Sequence, residues 1–338
     1  MRGPTVLSVL SLLAYSGHSR AQEILAPPST WIALRVEQLA QGNALLQRVA
    51  NPCFGEVPRS SSLGVATVPR AQLLRPFPCF NTVSLYRNNV GNTSYNALQV
   101  KLEKRFSHGF SGLLSYTWSK LIDTASSVFD ASILAGPVAN FPVADSYNPR
   151  LERDVSTGDI PHNFVASFVW DLPWGSGRRF EPHGPAGVFL NGWQLAGVVT
   201  LQSGVPIPIT QVTNFNAFAG FGTQRPNRVA DPTLPASDRT VARWFNTEAF
   251  QVAPQFTLGN SSRNPVRGPG YRNVDVALIK RTPLGAGRTT LEFRAEAFNL
   301  TNTPPLGVPN GVLGSPGFGS ITSAGDPRVV QLGLKVIF

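Results

Sequence analysis

The ten residues that follow Arg328 and end the chain alternate strictly between two sets of side chains. One set is wholly apolar and ends in an aromatic residue: Val330, Leu332, Leu334, Val336 and Phe338. The other set is mixed: Val329, Gln331, Gly333, Lys335 and Ile337. A period of two predicts a β-strand with one apolar and one mixed face. Its length matches the roughly 9–11 residues with which a tilted strand crosses a bilayer.

The same period predicts seven further strands along the chain. They are Thr5–Tyr15, Ser94–Phe106, Phe110–Ser119, His162–Pro173, Asn191–Ser203, Tyr271–Arg281 and Thr289–Asn299. The connections alternate between long and short, and the shortest is the turn at Ser107-His108-Gly109. We therefore expect an antiparallel sheet with all long connections at one end. The first long connection contains a predicted helix at Trp31–Val49, with Ser29 or Thr30 as its cap.

The first predicted strand has an alternative interpretation. Met1-Arg2 and the apolar stretch from Val6 to Ala14 fit a secretory signal over residues 1–21, with cleavage near Ala21. The apolar stretch also alternates, which fits a membrane strand that runs into a loop at Gly17-His18-Ser19. Both interpretations stay open on these residues, and only the strand gives an even number of strands.

Two of the predicted strands carry a row of polar and charged residues on alternate positions. These are Gln99, Lys101, Glu103 and Arg105 on one strand and Glu292, Arg294 and Glu296 on another. The opposite positions are largely apolar. This pattern is typical of a barrel whose charged side lines the lumen. The alternative is the exposed face of a soluble sandwich.

Composition favours a membrane protein over a soluble one. Charged residues make up 14% of the chain, whereas soluble domains contain roughly 25%. The 31 Gly and 29 Pro indicate many turns and long irregular loops. No apolar run approaches the roughly 20 residues of a transmembrane helix. A membrane location would therefore require a closed barrel of strands, which satisfies every backbone polar group in lipid.

The net charge of +10 is spread along the chain. We find no cluster of Lys and Arg interleaved with aromatic residues, so we expect no nucleic-acid partner. A basic rim that faces the phosphates of lipopolysaccharide is expected instead. The sequence contains no Gly-x-Ser-x-Gly nucleophile motif, no His-Glu-x-x-His zinc motif and no Walker phosphate-binding loop. We therefore expect neither an enzyme nor a cofactor.

Several acidic residues fall in one long loop. They are Asp123, Asp130, Asp145, Asp154 and Asp159. Because they lack the spacing of a calcium loop, we expect solvated carboxylates rather than a site for Ca²⁺ or sugar hydroxyls. His162 comes just before a strand, and we expect it to be a positioning or interfacial residue.

The two cysteines lie in near-duplicate settings. These are Asn51-Pro52-Cys53-Phe54 and Phe77-Pro78-Cys79-Phe80. A disulfide between Cys53 and Cys79 is one interpretation in an oxidising compartment, and two free thiols are the other.

A series of ordered motifs identifies a resemblance that covers nearly the whole chain from about Ser94. The motifs are Asp159-Ile160-Pro161-His162-Asn163-Phe164, Asp171-Leu172-Pro173-Trp174-Gly175, Asn191-Gly192-Trp193-Gln194-Leu195, Trp244-Phe245-Asn246-Thr247-Glu248-Ala249-Phe250, Gly259-Asn260, Arg263-Asn264-Pro265-Val266-Arg267-Gly268-Pro269-Gly270 and Phe293-Arg294-Ala295-Glu296-Ala297-Phe298-Asn299-Leu300-Thr301-Asn302. With the terminal strand, this set resembles the C-terminal barrel portion of TonB-dependent receptors, in particular the Oar-like group of acidobacteria.

The resemblance implies an all-β fold, namely a transmembrane antiparallel β-barrel that is partial here, with about eight strands and long extracellular loops. Residues 1–338 would form one such barrel portion in the outer membrane of a Gram-negative bacterium. The implied function is a receptor or transporter for an unidentified ligand, with outer-membrane lipid and the barrel assembly machinery as partners. Leu334, Val336 and Phe338 would form the assembly signal. The alternative is a secreted or surface β-protein that binds glycans without transport.

Members of this family also carry a plug or regulatory-like domain, a TonB box and about twenty-two barrel strands. These features do not occur in this sequence. We therefore expect a truncated gene product or a fragment, and no coupling to TonB by this polypeptide alone.

Overall fold

The computed structural model describes residues 9–20, 29–30, 33–81, 83–85, 91–124, 144–145, 147–175, 179–285 and 289–338. Several features discussed above lie outside these residues: the first predicted strand up to Ser8, the expected cleavage point at Ala21, Trp31 and Asp130.

Eight long strands form one antiparallel sheet in chain order. They are β1 (Val9–Arg20), β2 (Asn92–Ser107), β3 (Phe110–Asp123), β4 (His162–Asp171), β5 (Trp193–Gln202), β6 (Tyr271–Pro283), β7 (Thr290–Phe298) and β8 (Val329–Ile337). The predicted eight-stranded antiparallel architecture is confirmed. β1 and β8 form the two edges, and the described residues of these edges do not pair with each other, so the sheet is open.

The connections alternate between long and short, as the sequence predicts. In the shortest, Ser107 pairs with Phe110, and His108 and Gly109 have φ values of 53° and 78°. Positive φ at both central residues is characteristic of a type I′ turn, whose twist matches that of the paired strands. The long connections therefore leave the sheet at one end and the short ones at the other.

β1 runs further than its pattern predicts. The expected loop at Gly17-His18-Ser19 is wrong, because Gly17 pairs with Tyr95 and Arg20 pairs with Asn92. β2 begins at Asn92 and offers backbone partners to this whole stretch. The described part of the N-terminal segment is thus a strand of the sheet, as one of its two interpretations predicts.

The helix predicted at Trp31–Val49 is wrong in both type and bounds. A 3₁₀ helix spans Val36–Leu46, begins after Arg35 and is interrupted at Gly42, where φ is 55° and ψ is −133°. The expected caps instead form a short strand, Ser29–Thr30. A left-handed glycine inside a helical stretch breaks it, and tertiary pairing overrides the weak helical preference of the flanks.

The described part of the chain contains two short α-helices, α1 (Arg70–Leu73) and α2 (Gly184–Leu190). α2 lies in the connection between β4 and β5, for which the sequence predicted no helix. The other helices are 3₁₀ turns at Pro149–Glu152, Ala217–Ala219, Ala236–Asp238 and Thr247–Ala249. Among the described helices, none has the length and apolar composition that crossing a membrane would require.

The four long connections form a structure of their own, which we call the loop layer: residues 29–91, 124–161, 203–270 and 299–328, as far as they are described. Short strand pairs join its parts: Ser29–Thr30 with Ser84–Leu85, Arg48–Ala50 with Thr67–Pro69, Pro206–Ile207 with Val266–Arg267, Thr210–Gln211 with Val312–Leu313, and Asn227–Arg228 with Phe250–Gln251. Asp154–Val155 pairs with the end of β3.

Two clusters of buried apolar side chains lie in the loop layer. The first contains Ala33, Leu34, Leu39, Leu45, Ala71, Ala219 and Phe221. The second contains Ile207, Ile209, Phe245, Ala249, Phe250 and Val266. These hydrophobic cores therefore lie beside the sheet and not on either of its faces.

Candidate functional site

The register assigns every strand residue to one of two faces, because directly paired residues point to the same side. One row across β3 to β8 is Ser111, Val169, Ala196, Ala277, Glu296 and Gln331. The adjacent row is Gly112, Phe168, Gly197, Val276, Ala297 and Val330. We call the side of Glu296 the polar face and the side of Phe168 the apolar face.

The polar face carries all seven residues that the sequence singles out as lumen candidates. On β2, Gln99, Lys101, Glu103 and Arg105 share this face, since Glu103 pairs with Leu113. Lys101 Nζ lies 3.2 Å from the Glu103 carboxylate, and Arg105 Nε lies 4.0 Å from it. The β2 row is thus a chain of alternating charges along one strand.

A second network lies on β6 and β7. The Glu292 carboxylate accepts hydrogen bonds of 2.8 Å from both Arg281 and Arg294. Arg294 also lies 3.6 Å from Glu296, and Gln331 on β8 donates to the Glu296 carboxylate. Three strands are therefore joined on the polar face, β6 to β7 by charged side chains and β7 to β8 by the amide of Gln331.

A cavity of about 570 Å³ opens on the polar face. Its walls include polar-face side chains from six adjacent strands: Glu103, Arg105, Ser111, Leu113, Ser167, Val169, Ala196, Val198, Asp275, Ala277, Glu296 and Phe298. One cavity can touch six neighbouring strands only where the sheet curves around it. The polar face is therefore the concave side of the sheet.

The apolar face presents large hydrophobic side chains outward. On β8, Leu334 is 69% exposed and Phe338, just beyond the strand, is 96% exposed. Both lie on this face with Val336, so the three residues expected to form an assembly signal make one outward row. A surface of this size and character is suited to hydrocarbon rather than to water.

At the long-connection end of the apolar face, Tyr116 and His162 form a pair. The Tyr116 hydroxyl lies 2.8 Å from His162 Nδ1, and the two rings stack at 6.2 Å. Trp118 pairs across the strands with His162 and is largely exposed. His162, expected from the sequence to be a positioning or interfacial residue, lies with Tyr116 and Trp118 where the apolar face meets the loop layer.

The acidic loop is not solvated, and this expectation is wrong. Asp123, Glu152 and Asp159 are buried, and each pairs with an arginine from the connection between β5 and β6. The pairs are Arg263 with Asp123, Arg225 with Glu152 and Arg267 with Asp159. A buried carboxylate needs such a partner because desolvation of an isolated charge is costly.

Backbone groups complete the coordination of these carboxylates. Asp159 accepts from the Leu121 N–H at 2.5 Å, and Glu152 accepts from the Ala144 N–H at 2.8 Å. Asp154 accepts from the Asn264 N–H at 2.7 Å. The second and third long connections are thereby joined into one body. Within the described residues, no group of His, Cys, Asp and Glu could hold a metal ion.

Cys53 and Cys79 form a disulfide with a Cα–Cα distance of 5.6 Å. It closes a loop of the first long connection that is adjacent to the first buried cluster. Arg75 lies inside this loop, and its Nη2 donates to the Phe218 carbonyl at 2.6 Å. Burial lowers the pKa of the Arg75 guanidinium to about 10. The first long connection is therefore held to the third by a partly desolvated cation.

A second cavity, of about 360 Å³, lies in the loop layer. Its described lining contains three basic residues, Lys120, Arg239 and Arg267, and no carboxylate. Trp244 forms an aromatic wall: its Nε1 donates to the Arg267 carbonyl at 2.8 Å, and the Arg239 guanidinium lies 5.8 Å from the ring centre. A basic cavity with one aromatic wall is suited to an anionic organic ligand.

The Asp231 carboxylate lies beside this cavity and is held in its charged form. Hydrogen bonds from the backbone and side chain of Thr233, which lines the cavity, lower the pKa of Asp231. The Asp231 carboxylate is thus engaged with the cavity wall and does not enter the lining.

Sequence reasoning missed Arg225, Arg239, Arg263 and Trp244 as functional positions. Two of them, Arg263 and Trp244, stand inside motifs quoted above. No spacing in the sequence relates Arg225 and Arg263 to their partner carboxylates, which are about a hundred residues away. Only the folded loop layer brings these groups together.

No curated protein matches the chain. A family model described as an outer membrane beta barrel domain matches residues 33–331. The match covers β2 to β7, the loop layer and the start of β8. It agrees with an antiparallel sheet that has one apolar face, a concave polar face and long connections at one end. The chain therefore belongs to the outer membrane beta barrel domain family, and it is a protein of the outer membrane.

Proposed function

We propose that the chain is the barrel portion of an outer-membrane receptor or transporter of the TonB-dependent, Oar-like type. In this proposal the loop layer captures a ligand, and the polar face lines the path along which it moves. The observation that carries the proposal is the concave polar face, where charged rows on β2 and β7 flank a cavity that spans six strands.

The loop-layer cavity supports a capture role. Lys120 and Arg239 give it positive charge, whereas the charge of Arg267 is paired with Asp159, and Trp244 gives it a stacking surface. The loop layer has its own buried cores, so it can hold this cavity in a fixed shape without help from the membrane. A preformed cavity binds with less loss of conformational freedom than mobile loops.

A secreted glycan-binding protein was the alternative. It does not agree with the outer-membrane family or with an exposed row such as Leu332, Leu334 and Val336. The remaining alternative is binding of glycans at the cell surface without transport. In that case the ligand stays at the surface, whereas a transporter delivers it to the periplasm.

Uptake by intact cells tests the proposal. Cells that produce the chain would receive fluorescently labelled trigalacturonate or labelled maltotriose, which differ mainly in charge. We expect the anionic probe to bind and reach the periplasm. A K120A/R239A variant should lose binding several-fold while its level in the membrane is unchanged.

The matched control is R328A, which removes an exposed basic residue of the loop layer that does not line the cavity. Binding that stays at the cell surface would favour glycan binding without transport. Equal binding of both probes, unaffected by the variant, would contradict a capture role for this cavity.

A further inference from the structure

The helix α2 has no polar side chain and is exposed. It consists of Gly-Pro-Ala-Gly-Val-Phe-Leu. Val188, Phe189 and Leu190 are 58%, 73% and 45% exposed. Contiguous exposed apolar residues mark a surface that is covered by something other than water.

The exposed surface of α2 is continuous with the apolar face of the sheet. Trp193, the first residue of β5, lies on the apolar face, and its indole Nε1 donates to the Phe189 carbonyl at 2.8 Å. Trp174 and Phe180 form a β-bridge beside the helix, and both are exposed. The apolar surface therefore extends past the ends of β4 and β5 onto α2.

Cations lie over aromatic rings at the same end of the apolar face. Lys280 Nζ is 5.3 Å from the centre of the Trp193 ring, and Lys104 Nζ is 5.3 Å from the centre of the Phe110 ring. Both lysines lie on the apolar face, close to the short connections. A lysine at the rim of a lipid-facing surface keeps its stem in hydrocarbon and its ammonium among the phosphates.

We propose that α2 is an interfacial segment that lies in the phospholipid leaflet at the short-connection end of the sheet. Val188, Phe189 and Leu190 enter the boundary between headgroups and acyl chains. Lys280, together with Arg179 over the Phe180 ring at 5.5 Å, lies at the level of the phosphates.

The occupant is a phospholipid surface for two reasons. The helix continues a surface that already faces lipid in a protein of this family, and its flanking cations complement phosphate. The inference depends on the family and not on the receptor role. It holds whether or not the chain transports a ligand.

Two positions allow a matched test in the full chain. Val188 in α2 is 58% exposed, and Val212 in the loop layer is 59% exposed. Single variants V188C and V212C would be labelled with an environment-sensitive nitrobenzoxadiazole dye, because the native cysteines are joined in a disulfide. The protein would be studied in vesicles of phosphatidylethanolamine and phosphatidylglycerol in which a probe at L334C shows that the sheet has inserted.

For V188C we expect a blue-shifted emission, quenching by nitroxide-labelled lipid and several-fold weaker quenching by aqueous iodide than for V212C. Iodide quenching of V188C as strong as that of V212C would overturn the proposal. Protection from iodide without quenching by the labelled lipid would also overturn it, since protein and not lipid would then cover α2.

Discussion

The loop layer and the sheet are built for two different solvents. In the loop layer, apolar residues are buried in two clusters and charges are paired out of water, as in a soluble protein. In the sheet, one face is apolar and outward and the other is charged and concave. Apolar side chains are therefore buried inside the loop layer but exposed on the outer face of the sheet.

The difference shows where each region gets its stability. Burial of side chains such as Phe245 and Leu34 holds the loop layer together, and this contribution is independent of lipid. The sheet has backbone hydrogen bonds and exposed apolar side chains, which are stable together only if hydrocarbon covers them. Changes of equal chemistry should therefore have unequal effects in the two regions.

The largest expected effect concerns assembly of the sheet. Deletion of Phe338 removes the aromatic end of the outward row on β8 and leaves every loop-layer side chain in place. We expect most of the protein to be lost from the outer-membrane fraction and degraded in the periplasm, measured by fractionation and immunoblotting. F338Y should assemble as the unmodified chain does. Normal membrane levels of the deletion would contradict a role for this row in assembly.

The next effect concerns the buried ion pairs of the loop layer. R263M leaves the Asp123 carboxylate, which is 5% exposed, without its arginine. We expect the free energy of unfolding to fall by about 3–5 kcal/mol, measured by denaturant titration and by hydrogen exchange of residues 203–270. The double variant R263M/D123L should recover much of this loss. A double variant as unstable as R263M would show that the pair is not the cause.

A third prediction compares the two faces of one central strand. Ala166 on β4 lies in the middle of the apolar face, and its neighbour Ser167 lies on the polar face. We expect A166R to destabilise the membrane-folded state by about 2–4 kcal/mol and S167R to change its stability little. At Phe293, opposite Lys280 near the rim, the same substitution should cost about 0–1 kcal/mol. Equally mild effects at Ala166 and Ser167 would mean that neither face touches hydrocarbon.

The smallest effect concerns an ion pair on the polar face. The Lys101 ammonium and the Glu103 carboxylate are 3.2 Å apart, but the two side chains are 51% and 39% exposed. Since exposed pairs contribute about 0.2–1 kcal/mol, K101M should cost no more than that. The measurement is the same denaturant titration as for R263M. A loss as large as that of R263M would erase the distinction between the two regions.

The strands could be predicted because alternation is a local property of the sequence. β2, β4, β5, β6 and β7 begin and end within a few residues of their predicted bounds. The loop layer could not be predicted, because its determinants are distant in sequence. Arg263 and Asp123 are 140 residues apart, and the pairing of Gly17 with Tyr95 depends on the length of another strand.

The errors in the candidate site have a common physical cause. Carboxylates in a long loop were expected to be solvated because they lack the spacing of a calcium loop. Burial depends on what a loop packs against, and a fold that supplies arginines such as Arg225 and Arg267 reverses the expectation. The lack of polar residues in α2 was a local signal that could have been used.

The three arginine–carboxylate pairs also have a mechanical consequence. Asp123 ends β3 and Asp159 precedes β4, whereas Arg263 and Arg267 precede β6. The pairs therefore reach past β4 and β5. They fix the spacing between non-neighbouring strands at the long-connection end of the sheet. Because separation of either pair would leave a buried carboxylate without its arginine, which is costly, these contacts oppose a change in that spacing. The spacing of β3, β4 and β6 at this end of the sheet is thus set by the length of arginine and carboxylate side chains.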